Sequence, residues 1–460
     1  SRLCMSIHMQ ATFYQGHYNS VDGCIYMPPR NGTRGARFDP ATETWESFGD
    51  TFPPSQHFES CKWGYSAVSS LDNCIYSFPV YLKIVHRILK IDPVNGTAQE
   101  VGEDVRRLDS GPRSPSGRPH LAWFCAAANV DGIIFGIPNY ANSVLRFDPR
   151  TNELTTFGKL DGDLIEDKYW FGVTGPSGRY IFGIPCLASR VLCIDTQEEK
   201  LELIGPDFGE GDPNHQIIHT KWIGGTIGAD NRIYCTASNS RRMLCIDPAS
   251  MTASLFGPDL RRFHGSPYGW IGMVAGMDGC LYAMPLLANC FLRIDTFAGT
   301  VSTVGQAVPG APGSHGYGVV DRDDAIWLLP WSPSACMVRL APRRPQTPLL
   351  TTLLQPKHHA VLQEGLRDQD CYGPALVVAL WREAVRTGGD SSLVSGLLEA
   401  AAPVLPSVIT ASIKKDNGSM AVMLLRTILA VLPPQVGVLA TSWYCAGAQR
   451  VGLVSCSLVG

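Results

Sequence analysis

Between Trp222 and Gly257 the chain reads WIGGTIGADNRIYCTASNSRRMLCIDPASMTASLFG. Four short runs of β-forming residues stand in it, at 222–227, 232–235, 243–246 and 252–256. Branched and aromatic side chains suit a pleated, half-buried surface, and the Gly, Asn, Asp and Pro between the runs supply turn chemistry. No helical spacing of apolar residues competes with this pattern. The same order recurs on both sides of the segment: an aromatic-Gly stretch, a turn, Ile-Tyr-x-x-Pro, a loop, Leu-x-Ile-Asp-Pro, and a hydrophobic-Gly close.

The central aromatic falls at Tyr26, Tyr76, Phe135, Phe182, Tyr234, Tyr282 and Trp327, with gaps of 50, 59, 47, 52, 48 and 45 residues. An Asp follows 13 residues later at Asp39, Asp148, Asp195, Asp247 and Asp295, and 16 later at Asp92. Ten residues beyond each Asp stands a closing glycine: Gly49, Gly102, Gly158, Gly205, Gly257 and Gly305. Four strands in a unit of this length make one blade of a β-propeller, so seven aromatics predict seven blades. The last is degenerate, with Ile326-Trp327-Leu328-Leu329-Pro330 present but Ala341 in the Asp position. The expected architecture is mainly β, a seven-bladed β-propeller over residues 1–355. Its blades lie near 14–50, 63–103, 123–158, 170–205, 222–257, 270–305 and 317–355. Either 348–354 or 3–8 suits the last outer strand, and both routes stay open.

The repeat stops near Ala341, and Pro342-Arg343-Arg344-Pro345 marks a boundary. Beyond it Leu376, Val377, Leu380, Trp381 and Val385 trace a helical apolar face, so 356–460 is expected to be a small α-helical C-terminal region. Its most apolar stretches, 420–432 and 436–448, are 13 residues each. A bilayer-spanning helix needs about 20, so no membrane partner is expected.

Thirty-eight Lys and Arg against 41 Asp and Glu leave a net charge of -3. That balance removes the general basic field with which nucleic-acid binders attract phosphate. Fifteen cysteines without a CxxC pair read as free, buried small hydrophobes, which weakly favours a reducing, cytoplasmic setting. The chain opens on Ser1-Arg2-Leu3 rather than Met, so a fragment or processed product is expected, and no clear signal peptide is read in it.

Phe38-Asp39-Pro40-Ala41-Thr42-Glu43-Thr44-Trp45 resembles the end of a kelch repeat, although x-x-Pro replaces the double glycine of that family. Later units, such as Val144-Leu145-Arg146-Phe147-Asp148-Pro149, more closely resemble streptogramin-lyase-type and NHL-like blades. The resemblance spans roughly 14–355 and implies the fold; propellers host enzymes, scaffolds and lectins alike. Lyases of that type use a His and acidic residues on the channel face with a divalent metal. His215, His219, His264 and His315 fall in links on that face, and none matches the family motif.

The repeated Asp reads as a turn opener that accepts backbone N–H bonds, not as a metal ring. A second column, Trp63, Trp123, Trp170, Trp222 and Trp270 with Tyr317, opens each first strand. These aromatics ring one mouth of the channel, either packed between blades or available to stack a flat or sugar-like ligand. Links from closing Gly to this column run 14, 21, 12, 17, 13 and 12 residues, whereas the turns between third and fourth strands keep one length. Constant turns on one face and variable loops on the other describe a scaffold carrying binding loops. The longest link holds Arg106, Arg107, Arg113 and Arg118, and the loop at 80–86 holds Tyr81, Leu82, Ile84 and Val85, apolar residues expected to be exposed for a partner.

No HExxH, GxSxG, Walker A or EF-hand motif occurs, so no catalytic residue, metal ligand or cofactor is expected. The leading expectation is a non-enzymatic binding scaffold for another protein. The alternative is small-molecule or sugar binding, or lyase- or lactonase-type catalysis, at the channel mouth.

Overall fold

The computed structural model describes residues 13–340, apart from 54–60, 81, 83, 109–121, 161–166, 210–219, 265–267, 277–278, 297, 306–312, 324, 332–334 and 336. The expected C-terminal helical region and both candidate closing strands lie outside the described residues. So do Tyr81, Arg113, Arg118, His215 and His219.

Within each repeat unit the strands pair antiparallel in chain order, and a parallel pairing of Tyr65 with Cys125 joins the second and third units into one eight-stranded sheet. The strands nearest the axis are His17–Asn19, Trp63–Val68, Trp123–Ala128, Tyr169–Thr174, Trp222–Ile227, Trp270–Ala275 and His315–Val320. Six units carry four strands; in the seventh, the described residues form three, ending at Val338–Leu340. Second strands are buried along their length, save Tyr180 at the start of the fourth unit's, which is why Ile-Tyr-x-x-Pro stays apolar, while the outermost strands are largely exposed. The seventh unit packs on the first: the Phe38 ring meets Trp327 edge-on at 5.0 Å, and Phe13, Ile25 and Met27 share a cluster with Val319 and Leu329. The seven units therefore close into a ring.

The repeated Asp works through its turn. Asp39 Oδ1 accepts the Ala41 N–H at 2.8 Å, and Asp92, Asp195 and Asp247 each accept the N–H groups two and three residues on. The closing glycine has an equally local cause. Gly49 has φ +79°, and a Cβ there would lie 2.3 Å from the Ala98 Cβ on the outer strand of the next blade. A second repeated Asp lies four residues before the central aromatic. Tyr26, Tyr76 and Tyr234 donate their hydroxyls to Asp22, Asp72 and Asp230 at 2.6–2.7 Å; in the seventh unit the Trp327 indole donates to Asp321, six residues before it, at 2.7 Å. Both sets of carboxylates belong to turn and blade architecture.

Candidate functional site

Two structural sets build one face of the ring. The first follows the proline that ends most second strands: Arg30, Val80, Asn139, Cys186, Ser238, Leu286 and Trp331. Val80, Cys186, Ser238, Leu286 and Trp331 donate their backbone N–H to the residue preceding the first strand, at 2.7–3.0 Å. The second set is the start of each link, which returns to the same loops. The N–H groups of Phe52, Val105, Leu160, Phe208 and Leu260 bond to the carbonyls of Thr33, His86, Asn142, Ser189 and Arg241 at 2.7–2.9 Å. Links and second-to-third-strand loops thus share a face.

Two buried lysines and the half-buried Lys221 stitch neighbouring blades beneath that face. Lys62 Nζ donates to the Asn31 and Gly32 carbonyls at 2.9 and 2.6 Å. Lys168 Nζ reaches the Tyr140 carbonyl at 3.0 Å, and Lys221 Nζ reaches those of Leu187 and Gly209 at 3.0 and 2.7 Å. Each cation crosses to the preceding blade and satisfies carbonyls that a loop leaves without strand partners.

The aromatic column requires correction in two blades. Trp63, Trp123, Trp222 and Trp270 oppose the end of the second strand, at Pro79, Pro138, Ala237 and Pro285. In blades 4 and 7 that register belongs to Tyr169 and His315, opposite Pro185 and Pro330, not to Trp170 and Tyr317. The four tryptophans in register are 1–2% exposed. Their indole N–H groups donate to the Arg87, Ser143, Arg242 and Cys290 carbonyls at 2.8–3.1 Å. Phe52 and Phe208 pack edge-on against Trp63 and Trp222. With ring and N–H both engaged inside the protein, these indoles present no stacking surface. Trp170 is half-buried, tilted 5.5 Å from the Phe124 ring, and donates to Asp167 Oδ1 at 2.7 Å.

Tyr317 occupies the hub. Its ring stacks on Phe171 at 5.5 Å and meets Tyr65 at 4.7 Å. It lies against Gly224 and Gly272, where an added Cβ would come within 2.8 Å of its hydroxyl oxygen and 2.3 Å of its Cδ1. Tyr65 also packs edge-on against Phe124, and Tyr14 continues the cluster toward the mouth. Burial pushes the Tyr65 and Tyr317 phenols well above their ordinary range. Converging rings from four blades fill the axis at this level.

Above the plug, Arg30, only 3% exposed, lies 4.3 Å over the Tyr14 ring. Its Nε and the Tyr14 hydroxyl both donate to Cys61 Sγ, at 3.2 and 3.1 Å. Between blades 1 and 2, His17 Nε2 lies 2.8 Å from Ser66 Oγ, and burial lowers the imidazole to about 4. His315 is buried beside Ser314, and His264 meets Trp270 edge-on. Among the described residues, no three His, Cys, Asp or Glu side chains gather as a metal-ion site would need.

The loop at 80–86 also differs from expectation. Val80 and Val85 are buried, and Leu82 and Ile84 are half-buried against core clusters, because the loop folds back over its own blade. Arg106 and Arg107 are exposed on the short 3-10 turn Val105–Arg107, paired respectively with Asp104 and Glu103.

No family model and no curated protein matches the chain. Solved structures do. A streptogramin B lyase aligns with TM-score 0.51 at 14% identity, over 73% of this chain and 94% of its own. A virginiamycin B lyase from Staphylococcus aureus, a catalytically inactive form with quinupristin, aligns with TM-score 0.52 at 12% identity, over 72% and 96%. At these identities the likeness is one of fold, and it establishes the streptogramin-lyase-like propeller architecture.

Proposed function

We propose that this propeller is a non-enzymatic binding module that holds a protein partner on the face built from its links and second-to-third-strand loops. One observation carries the reading: the link starts and loops converge on one face, where their lengths and side chains vary from blade to blade, while the opposite face repeats one Asp-capped turn. A rigid frame that diversifies on a single side is the arrangement of recognition loops. The hub supports the reading from another direction, since Tyr317, Tyr65 and Phe171 fill the axis where a channel ligand would enter. The buried indoles give little support to sugar stacking at the mouth.

The test is a quantitative pulldown comparing the full chain with a variant whose link at 109–121 is replaced by a Gly-Ser segment of equal length, which keeps the buried Val105 and Ala122. Proteins captured by the native chain should be depleted from the variant while its thermal unfolding stays native-like. Unchanged capture by the variant, and by equivalent replacements in the other links, would overturn the proposal.

A further inference from the structure

Blade 5 brings two Arg-Arg dipeptides together on the variable face. Arg241-Arg242 lies in the loop after the second strand, and Arg261-Arg262 in the 3-10 turn Leu260–Arg262. The Leu260 N–H donates to the Arg241 carbonyl at 2.8 Å and sets the two segments side by side. Asp259 caps the turn by accepting the Arg261 N–H at 2.9 Å, and lies 3.3 Å from Arg241 Nη1. Arg242 donates to the Gly257 and Leu255 carbonyls at 2.8 and 3.3 Å, which fixes its position but leaves its charge intact. Arg262 spreads over the Phe263 ring at 4.5 Å.

Among the described residues, Arg261 and Arg262 pair with no carboxylate, so four guanidinium groups meet one acid, Asp259, and the local charge is four minus one, +3. The chain as a whole is at -3. Blade 2 provides the internal comparison. It builds the same Asp-capped turn, yet there Arg106 and Arg107 are each matched by an acid, Asp104 and Glu103. The turn itself therefore does not require unmatched arginines. Four solvent-exposed cations at one edge favour an anionic counterpart.

We propose that this arginine patch docks an acidic segment of a protein partner, with Arg241, Arg261 and Arg262 taking its carboxylates. The proposal rests on the protein-binding reading of this face and adds the chemistry of the partner. A polypeptide fits better than a nucleic acid because the patch is confined to one blade, whereas a phosphate backbone is held by an extended basic tract.

Fluorescence anisotropy of a labelled Glu-Ser repeat peptide with the full chain tests this, with a Lys-Ser peptide and a single-stranded oligonucleotide as competing probes. The Glu-Ser peptide should bind, and R261S/R262S should weaken it about five-fold, since exposed ion pairs contribute about 0.2–1 kcal/mol each. R150S/R232S, on the opposite face at the constant Asp turns, should leave its affinity unchanged. Binding lost equally in both variants, no peptide binding at all, or preference for the oligonucleotide would overturn the proposal. No peptide binding alongside loop-dependent partner capture would refute the acidic-segment proposal alone. Peptide binding at Arg261 and Arg262 with loop-independent capture would refute the wider reading instead.

Discussion

Replacing Gly272 with alanine probes the hub directly. Gly272 has φ +60°, and its added Cβ would lie 2.3 Å from Tyr317 Cδ1 and 2.4 Å from Cε1. Gly96 supplies the control, because it has φ +64° with nothing within 4 Å of a Cβ added there. Both substitutions carry the left-handed backbone cost, about 1 kcal/mol. Gly272→Ala also forces a methyl into a packed aromatic plug, which adds about 1–3 kcal/mol. The two variants should therefore differ by roughly 2 kcal/mol, and Gly272→Ala should cost about 3 in all. With unfolding entropy near 2.1 cal/mol/K per residue, a ring of this size loses roughly 4 °C of Tm for that amount. The assay is urea and thermal unfolding of both variants, with Tyr317→Leu added to each. Shrinking Tyr317 should recover part of the Gly272→Ala cost and none of the Gly96→Ala cost. Equal costs for the two glycines, or no coupling to Tyr317, would refute the plugged hub.

Other perturbations follow from the same contacts. Lys62→Met leaves the Asn31 and Gly32 carbonyls without their ammonium donor and should cost about 1–3 kcal/mol in urea unfolding. Tyr234→Phe removes the hydroxyl bond to Asp230 and should cost about 1 kcal/mol, visible as a lower urea midpoint at unchanged m-value. His17 titrates at about 4 when folded and at the ordinary 6.5 when unfolded, so the unfolded chain takes up the extra proton between those values. The stability its neutral form contributes is present above pH 6.5 and is lost as pH falls toward 4; His17→Gln should flatten that part of the stability profile.

The spacing of Asp and closing Gly made the blades legible because each has a local cause: one carboxylate capping one turn, and one positive-φ residue lying against the next outer strand. Register was harder. In blade 4 the turn joining the first two strands runs from Gly175 to Tyr180, one residue longer than the Asn129–Ile133 segment of blade 3. Counting back from Phe182 therefore lands on Trp170 instead of Tyr169. In blade 7, matching aromatic to aromatic selected Tyr317 and passed over His315. The acids at Asp22, Asp72 and Asp230 carried a readable signal, a constant four-residue offset from a tyrosine, but an Asp in a turn already has an explanation. Apolar content at 80–86 says nothing about whether a loop extends or folds under. The hub was illegible for a tertiary reason: Tyr65, Phe171 and Tyr317 come from distant repeats and meet only when the ring closes.

The central claim is that recognition belongs to one face of the ring and not to its axis or its constant turns. Hydrogen exchange of the full chain, alone and with the protein recovered by the pulldown, measures this most directly. Protection concentrated in the links and the loops after the second strands is the predicted result. Protection concentrated at the turns after Asp39, Asp92, Asp195 and Asp247, or along the hub strands, would contradict it.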